Sequence, residues 1–276
     1  MAGHEHNGGE AWARTLWEAY LTGNHANLGR KVRATRAMFG RLPAEHRCRV
    51  CRAPFDGISG RFAALIGFGV GRSGLNPTLC DRCERIVKGH GVGVELEMTM
   101  LFADVRGSTT LAEKIGPSAF HRLIDRFYSV GVGVFIESGA LIEKLIGDEI
   151  AALYAPGIAG PDHPARAMQA ALDLLAATGH THGEEPWLPI GAGVHTGRVY
   201  AGAVGGAGRM SVITVLGDAA NATARLASSA APGEILISEE TYRRAGGSPM
   251  ASEPRVLDVR GREESLMVRS LRPSHV

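Results

Sequence analysis

The alternation of apolar and polar positions divides the chain into a helical N-terminal stretch and a longer mixed region. Trp12, Leu16, Tyr20 and Leu21 recur at helical spacing and predict a helix over Gly9–Leu21, with a second from about Leu28 to Phe39. An apolar run from Met98 to Ala103 reads as a strand; it ends on Asp104 and is followed by Gly107 and by Thr110-x-x-Glu113, the form of a helix-starting capping box. The next helix carries Phe120, Leu123, Ile124 and Phe127 on its apolar side. Ala140–Ile146 and Glu149–Tyr154 read as short strands around a tight Gly147-Asp148 turn, and Pro164 opens a helix with Ala167, Met168, Ala171, Leu172 and Leu175 facing inward. The order to this point is βαββα.

Leu188–Val194 follows as a strand whose Gly191 and Gly193 imply close packing against other backbone. It runs into His195-Thr196-Gly197, where we expect the histidine to be structural, and then into a glycine-rich hairpin around Gly202–Gly208. Ser211–Leu216 is a β-branched strand closed by Gly217-Asp218, with Asp218 placed to cap a helix that sets Asn221 and Arg225 four residues apart on one face. Strands at Glu234–Ser238, about Arg255–Val259 and Leu266–Leu271 complete the pattern, and no internal repeat is visible. Lys88–Gly93 reads as a linker. The expected division is therefore a helical segment over 1–45, a small module with its linker over 46–92, and a main domain over 93–276.

Composition narrows the partners. With 276 residues, 45% hydrophobic, 21% charged and a formal net charge of +2, the chain has neither the excess charge of a bulk nucleic-acid binder nor a spanning segment. The longest apolar stretch, Phe62 to Val70, is interrupted by Gly67 and Gly69, and the first residues carry His, Asn and Glu where a signal peptide has an apolar core. A cytoplasmic protein is expected. Arg30, Lys31, Arg33, Arg36 and Arg41 fall in a stretch without acids and are read as a solvated helix face.

All four cysteines stand in one pattern, Cys48-x-x-Cys51 and Cys80-x-x-Cys83. Without a secretory signal, disulfides have little reason to persist, whereas two such pairs offer four thiolates to a tetrahedral Zn²⁺. An iron–sulfur cluster and a redox dithiol are the alternatives. The spacer exceeds the usual about 15–20 residues, so Arg61–Leu75 must form a loop or an element of its own. A site closed by four cysteines is structural, since no position is left for substrate.

Asp104 and Asp148 are the candidate chemistry of the main domain. A strand that ends on a carboxylate and is followed by free backbone amides suits a metal-bound polyphosphate: the acid holds a hard cation while the amides face the anion. Either acid alone reads more simply as a cap or turn residue, so the case rests on the constellation.

That constellation resembles the class III nucleotidyl cyclase catalytic domain over about residues 95 to 272. The family's first metal acid sits in an F-x-D-x-x-G-[ST] run, here Phe102 to Ser108 with Asp104, and its second follows glycine in a hairpin turn, here Asp148. A base-reading residue four positions before the second acid corresponds to Lys144, and its partner, ahead of a Gly-Asp-x-x-Asn-x-x-x-Arg run, corresponds to Thr214 before Gly217, Asp218, Asn221 and Arg225. The resemblance implies an α/β (α+β) fold, a ferredoxin-like βαββαβ palm preceded by the helical, zinc-binding module. It implies an adenylate cyclase that makes 3′,5′-cyclic AMP and pyrophosphate from ATP, with Mg²⁺ or Mn²⁺ on Asp104 and Asp148. Asn221 would orient the ribose, Arg225 would steady the transferring phosphate, and Lys144 and Thr214 would read adenine. Because the family draws the metal acids from one palm and the other four residues from its neighbour, a homodimer is implied. The alternatives are a guanylate cyclase, for which Glu and a small residue are expected in place of Lys144 and Thr214, and a non-catalytic palm acting through the cysteine module. Gly-Asp-Glu-Ile at 147–150 is also similar to the diguanylate cyclase signature, but Ile146 and Ile150 depart from it.

Overall fold

The computed structural model describes residues 3–66, 71–74, 76, 78–180, 185–206, 210–248, 250–257 and 265–273. In chain order the elements are α1 (Gly3–Thr22), α2 (Arg30–Gly40), α3 (Gly57–Leu65), α4 (Asp81–His90), β1 (Gly93–Val105), α5 (Ser108–Ile115), α6 (Pro117–Glu137), β2 (Leu141–Ile146), β3 (Glu149–Tyr154), α7 (Pro156–Ala159), α8 (His163–Ala177), β4 (Ile190–Gly206), β5 (Met210–Leu216), α9 (Asp218–Ser229), β6 (Ile235–Ser238), α10 (Glu239–Arg244), β7 (Arg255–Leu257) and β8 (Leu266–Leu271). They form two compact units, Met1–Leu96 with Tyr200–Val215, and Glu97–Val199 with Leu216–Val276. Among the described residues no helix is long and apolar enough to cross a membrane.

The second unit is built on a sheet of order β2-β3-β1-β4-β6-β8-β7, with β5 pairing β4. β1 and β3 are antiparallel, β4 and β6 parallel, and β6 and β8 antiparallel. This mixed sheet with helices is the α/β class expected. Period-two alternation sorts β6 between two faces: Ile235 and Ile237 join the main core, which includes Phe127 and Phe135 of α6 and Leu174 of α8, whereas Leu236 packs with Leu226 of α9 and Val268. Helices therefore cover both faces, which is why six consecutive residues of β1, Met98 to Ala103, are all buried. The glycines of β4 explain how close α9 lies. A Cβ on Gly193 would collide with the amide of Ala227 and stand 2.6 Å from Leu226 Cβ, and one on Gly191 would stand 2.8 Å from Ala230 O.

The first unit gathers α1 to α4 and the β4–β5 hairpin. Trp12 was placed on the buried stripe of α1, but it is 41% exposed; Trp17 is fully buried and its Nε1 donates to Ala201 O at 2.9 Å. Arg36 does not lie on a purely solvated face either: its guanidinium donates to the carbonyls of Arg49, at 3.1 Å, and of Val50. α3 fills much of the cysteine spacer, while residues 67–70, 75 and 77 lie outside the described residues.

Several boundaries differ from the sequence reading for local reasons. α5 starts at Ser108 behind Gly107, whose φ of 66° lies in the left-handed region, so Thr110 and Glu113 sit inside the helix and form no capping box. Asp218 is the first residue of α9, and Gly217 holds the N-cap position. Lys88–Gly93 is the last turn of α4, its Gly91 C-cap and the first residue of β1. The short helices α7 and α10 carry no periodic signal of sufficient length. The expected tip of the glycine-rich hairpin (207–209) and the end of the strand expected to reach Val259 lie outside the described residues.

Candidate functional site

β1 ends against the β2–β3 turn. Asp104 pairs with Glu149 across the antiparallel ladder, and the next amide, Val105 N–H, donates to Asp148 O at 3.2 Å. Register thus sets the two acids of the sequence reading at adjacent strand ends. Gly147 turns the chain with a φ of 63°, and Tyr128 Oη on α6 donates to its carbonyl at 3.0 Å. Burial raises the Asp104 carboxyl above its ordinary value, Arg106 opposes the shift, and the negative charges of Asp148 and Glu149 add to it. Neighbouring carboxylates whose charges oppose one another in a half-buried place suit a hard divalent cation, although among the described residues only the four cysteines already bring three or more ligand atoms within 4.8 Å of one another.

Arg106 has no counterpart in the sequence reading. Its Nη2 lies 2.5 Å from Asp104 Oδ2, while Nη1 donates to Ser228 O at 2.8 Å and Ala230 O at 3.3 Å, and its backbone N–H donates to Pro189 O at 2.8 Å. One guanidinium therefore joins the first acid to the C-terminal end of α9. Only its position two residues after Asp104 hinted at this role.

Lys144 is re-aimed by a bulge. Ile142 faces Ala152 and Lys144 faces Ala151, so Glu143 is the extra residue and the pleat alternation shifts. Lys144 Nζ then lies 3.0 Å from Glu149 Oε1 and 5.4 Å from the centre of the Phe102 ring. Glu149, set aside in the sequence reading, is its counter-ion. On α9, Asn221 is exposed and Arg225 half-buried, and Arg225 Nη1 is a buried donor without a hydrogen-bond partner among the described residues. An unpaired buried guanidinium nitrogen is costly unless an anion completes it. Thr214 lies on β5, in the other unit.

His195 donates to or accepts from Ser238 Oγ at 2.8 Å, and a buried chain continues through Thr241, Thr196 and Thr99 to His163 Nδ1. It ties β1, β4, α8 and α10 together, as a structural histidine would.

In the first unit the ligand atoms of Cys48, Cys51, Cys80 and Cys83 all lie within 4.8 Å of one another, with Cys51 Sγ and Cys80 Sγ 3.8 Å apart. Four sulfurs at about 2.3 Å from one tetrahedral ion are separated by about 3.8 Å. The first knuckle closes through Arg52 N–H to Cys48 O at 2.8 Å, with Arg52 at a φ of 63°; the second is the start of α4, where Cys80 is the N-cap. Hydrogen bonds from neighbouring thiols hold Cys48 below its ordinary value, and those shared with Cys48 push Cys51 and Cys83 up. Crowded thiols that cannot all ionise together are what a bound cation resolves.

The model of the Adenylate and Guanylate cyclase catalytic domain matches residues 94–268. The chain belongs to that family. An adenylate cyclase of Anabaena cylindrica is 32% identical over 190 residues, covering 64% of this chain and 37% of that protein. The chain thus spans well under half the length of that relative. Among solved structures, the guanylyl cyclase Cya2 is similar at 25% identity with a TM-score of 0.60, over 66% of this chain and 93% of that one. The adenylyl cyclase CyaB from P. aeruginosa is similar at 24% identity and a TM-score of 0.57, over 66% and 97%. Cyclases of both nucleotide types share the fold.

Proposed function

We propose that the chain is an adenylate cyclase converting ATP to 3′,5′-cyclic AMP and pyrophosphate at sites shared by two copies. The observation that carries this is the register that joins the ends of β1 and β3, with Asp104 opposite Glu149 and Asp148 O receiving the next amide. Mg²⁺ or Mn²⁺ held by the carboxylates of Asp104 and Asp148 supplies charge neutralisation and activation of the ribose 3′-oxygen when bound. The remaining work is alignment. Asn221 hydrogen-bonds the ribose and aims its 3′-oxygen at the α-phosphorus. Arg225 meets the charge that grows on the transferring phosphate, and its unpartnered Nη1 is consistent with that task. Lys144 donates to adenine N1 after leaving Glu149, and the Thr214 hydroxyl accepts from the exocyclic amine.

All six residues occur in one chain, so a two-fold homodimer would hold two complete sets. In this reading the domain over 93–276 is catalytic, the segment over 1–45 and the cysteine module over 46–92 are attached to it, and the enzyme is cytoplasmic with ATP and its own copy as partners. Zn²⁺ is the ion we assign to Cys48, Cys51, Cys80 and Cys83, since a multi-iron cluster would spread the thiolates around a larger cage.

The test uses purified protein with ATP, then GTP, and Mg²⁺ or Mn²⁺. Asp104→Ala and Asn221→Ala should each be inactive, and their equal mixture should recover roughly a quarter of wild-type activity, since about half the dimers are mixed and each has one intact site. A mixture that stays inactive while subunit exchange is demonstrated rejects the shared site. Cyclic GMP as the main product would make the enzyme a guanylate cyclase, and no product from either nucleotide would favour the adaptor reading.

A further inference from the structure

Arg106 lies in the turn between β1 and α5 and is fixed at both ends. Its backbone N–H donates to Pro189 O at 2.8 Å, just ahead of β4, and its side chain is half-buried. The guanidinium divides its two Nη groups between different elements: Nη2 meets Asp104 at Oδ2, 2.5 Å away, and Nη1 donates to Ser228 O and Ala230 O. Nε is buried and has no hydrogen-bond partner among the described residues, so the fork is held through its tips.

The end of α9 explains why a cation is retained there. The last four carbonyls of a helix lack intrahelical partners and carry the negative end of its dipole. The last turn of α9 holds no basic residue of its own, and its C-cap is Ala230, whose N–H donates to Leu226 O at 3.1 Å. Arg106 supplies the missing cation from 122 positions away along the chain. Gly193 has no Cβ, which lets α9 lie directly against β4 and gives the guanidinium a fixed support. A planar fork tied to that support presents Nη2 to Asp104 in one place, which a flexible ammonium would not do.

We propose that Arg106 is a positioning residue for the cation site: by tying Oδ2 of Asp104 to the end of α9, it fixes the carboxylate rotamer and leaves Oδ1 for the divalent ion. The role rests on the proposed assignment of Asp104 as a metal acid. A carboxylate that can rotate must lose that freedom when it takes up a cation, whereas one already held by a neighbour does not. Outer partners of this kind are typically worth about 10- to 100-fold in metal affinity. Charge acts in the other direction. A guanidinium beside a divalent cation repels it, so removing the arginine for its charge alone would tighten binding. Positioning and charge therefore predict opposite signs for the same substitution.

The experiment measures Mn²⁺ binding to the full chain by electron paramagnetic resonance, without nucleotide and with the cysteine site already loaded. Asp104→Ala should abolish the binding, and Arg106→Met should weaken it by about 10- to 100-fold. Lys114→Met, which removes an equal charge from an exposed position of α5, should leave it unchanged or slightly tighter. Arg106→Lys keeps the charge but cannot bridge both partners as a fork, so its affinity should fall between wild type and Arg106→Met; it decides the matter if Arg106→Met misfolds. Hydrogen exchange at the Ala230 amide should accelerate in Arg106→Met, a readout independent of both metal and catalysis. Unchanged or tighter Mn²⁺ binding in the Arg106 variants overturns the role, as does wild-type binding that survives Asp104→Ala; unchanged exchange at Ala230 overturns the tie to α9. Where nucleotide is turned over, Arg106→Met should need more Mn²⁺ yet approach the wild-type rate at saturation. A protein that binds Mn²⁺ in this order of variants but makes no cyclic nucleotide refutes the cyclase reading and leaves the positioning role standing.

Discussion

The two units are held together by different means. Behind the sheet lies a continuous apolar core that includes Leu101, Phe127, Phe135, Tyr154 and Leu174, all fully buried. In the first unit one apolar cluster is Phe39, Ala53 and Ala63, the unit also buries Trp17, Tyr20, Leu21 and Leu79, and its loops are further held by polar bonds to their carbonyls. Arg47 alone donates to Phe39 O, Leu42 O and Ala44 O, at 2.9, 2.8 and 3.2 Å. A sheet with both faces covered carries its own stability, whereas the knuckle loops, which have no ladder of their own, gain most from a cross-link. On our reading, the difference separates a body that positions the acids from a module that a metal on the cysteines would stabilise.

Metal removal tests this comparison most severely. Apparent binding free energies at structural zinc sites are about 10–16 kcal/mol, so chelation, or Cys48→Ser with Cys80→Ser, should unfold the cysteine module. The sheet unit should retain its cooperative melting and its β-sheet circular dichroism. A single transition that vanishes with the metal would erase the distinction. Elemental analysis of the untreated protein should find about one zinc per chain; iron with visible absorbance would replace the ion we assign.

The converse change is smaller. Phe127→Ala should cost about 3–5 kcal/mol through the lost burial and the cavity it leaves, lowering the melting temperature of the sheet unit at constant metal content. Loss of bound metal in this variant would mean that the two units are not separable in stability. On the catalytic side, Arg225→Ala should lower kcat by about 10²- to 10³-fold, the usual effect of removing a donor to transition-state charge. Melting should remain near wild type, because Nη1 of that side chain has no partner to lose. A melting temperature that falls by many degrees would assign Arg225 to the scaffold.

Nucleotide choice tests the roles we propose for Lys144 and Thr214. Lys144 would face the protonated N1 of guanine, donor against donor, so ATP should be preferred by roughly 5- to 150-fold in kcat/KM, about 1–3 kcal/mol. Equal turnover of ATP and GTP would remove Lys144 from base recognition. The smallest effect concerns the Gly147 turn. Tyr128→Phe deletes one hydrogen bond and should cost about 0.5–1.5 kcal/mol, with the metal requirement of the reaction weakened in parallel if the turn positions Asp148. Unchanged stability and unchanged metal dependence would show that the turn holds itself.

Features written in local spacing were legible in the sequence. An apolar run ending on Asp104, a Gly-Asp turn between two short strands, paired cysteines and alternating glycines in β4 each require only a few neighbouring residues to be recognised. The turn fixes the β2–β3 register, which made a meeting of the two strand-end acids conceivable, but the approach of residues 104 and 148 rests on β1 pairing with β3. What only the tertiary structure decided involves partners distant along the chain. Arg106 meets Ser228 O across 122 positions and Trp17 meets Ala201 O across 184, and no periodicity encodes either contact. The bulge at Glu143 that turns Lys144 toward Glu149 depends on strand pairing as well as on the residues themselves. Period-3.6 reasoning put Trp12 on the apolar stripe and did not name Trp17, yet Trp12 is exposed and Trp17 buried, with a partner at Ala201 O that lies far along the chain.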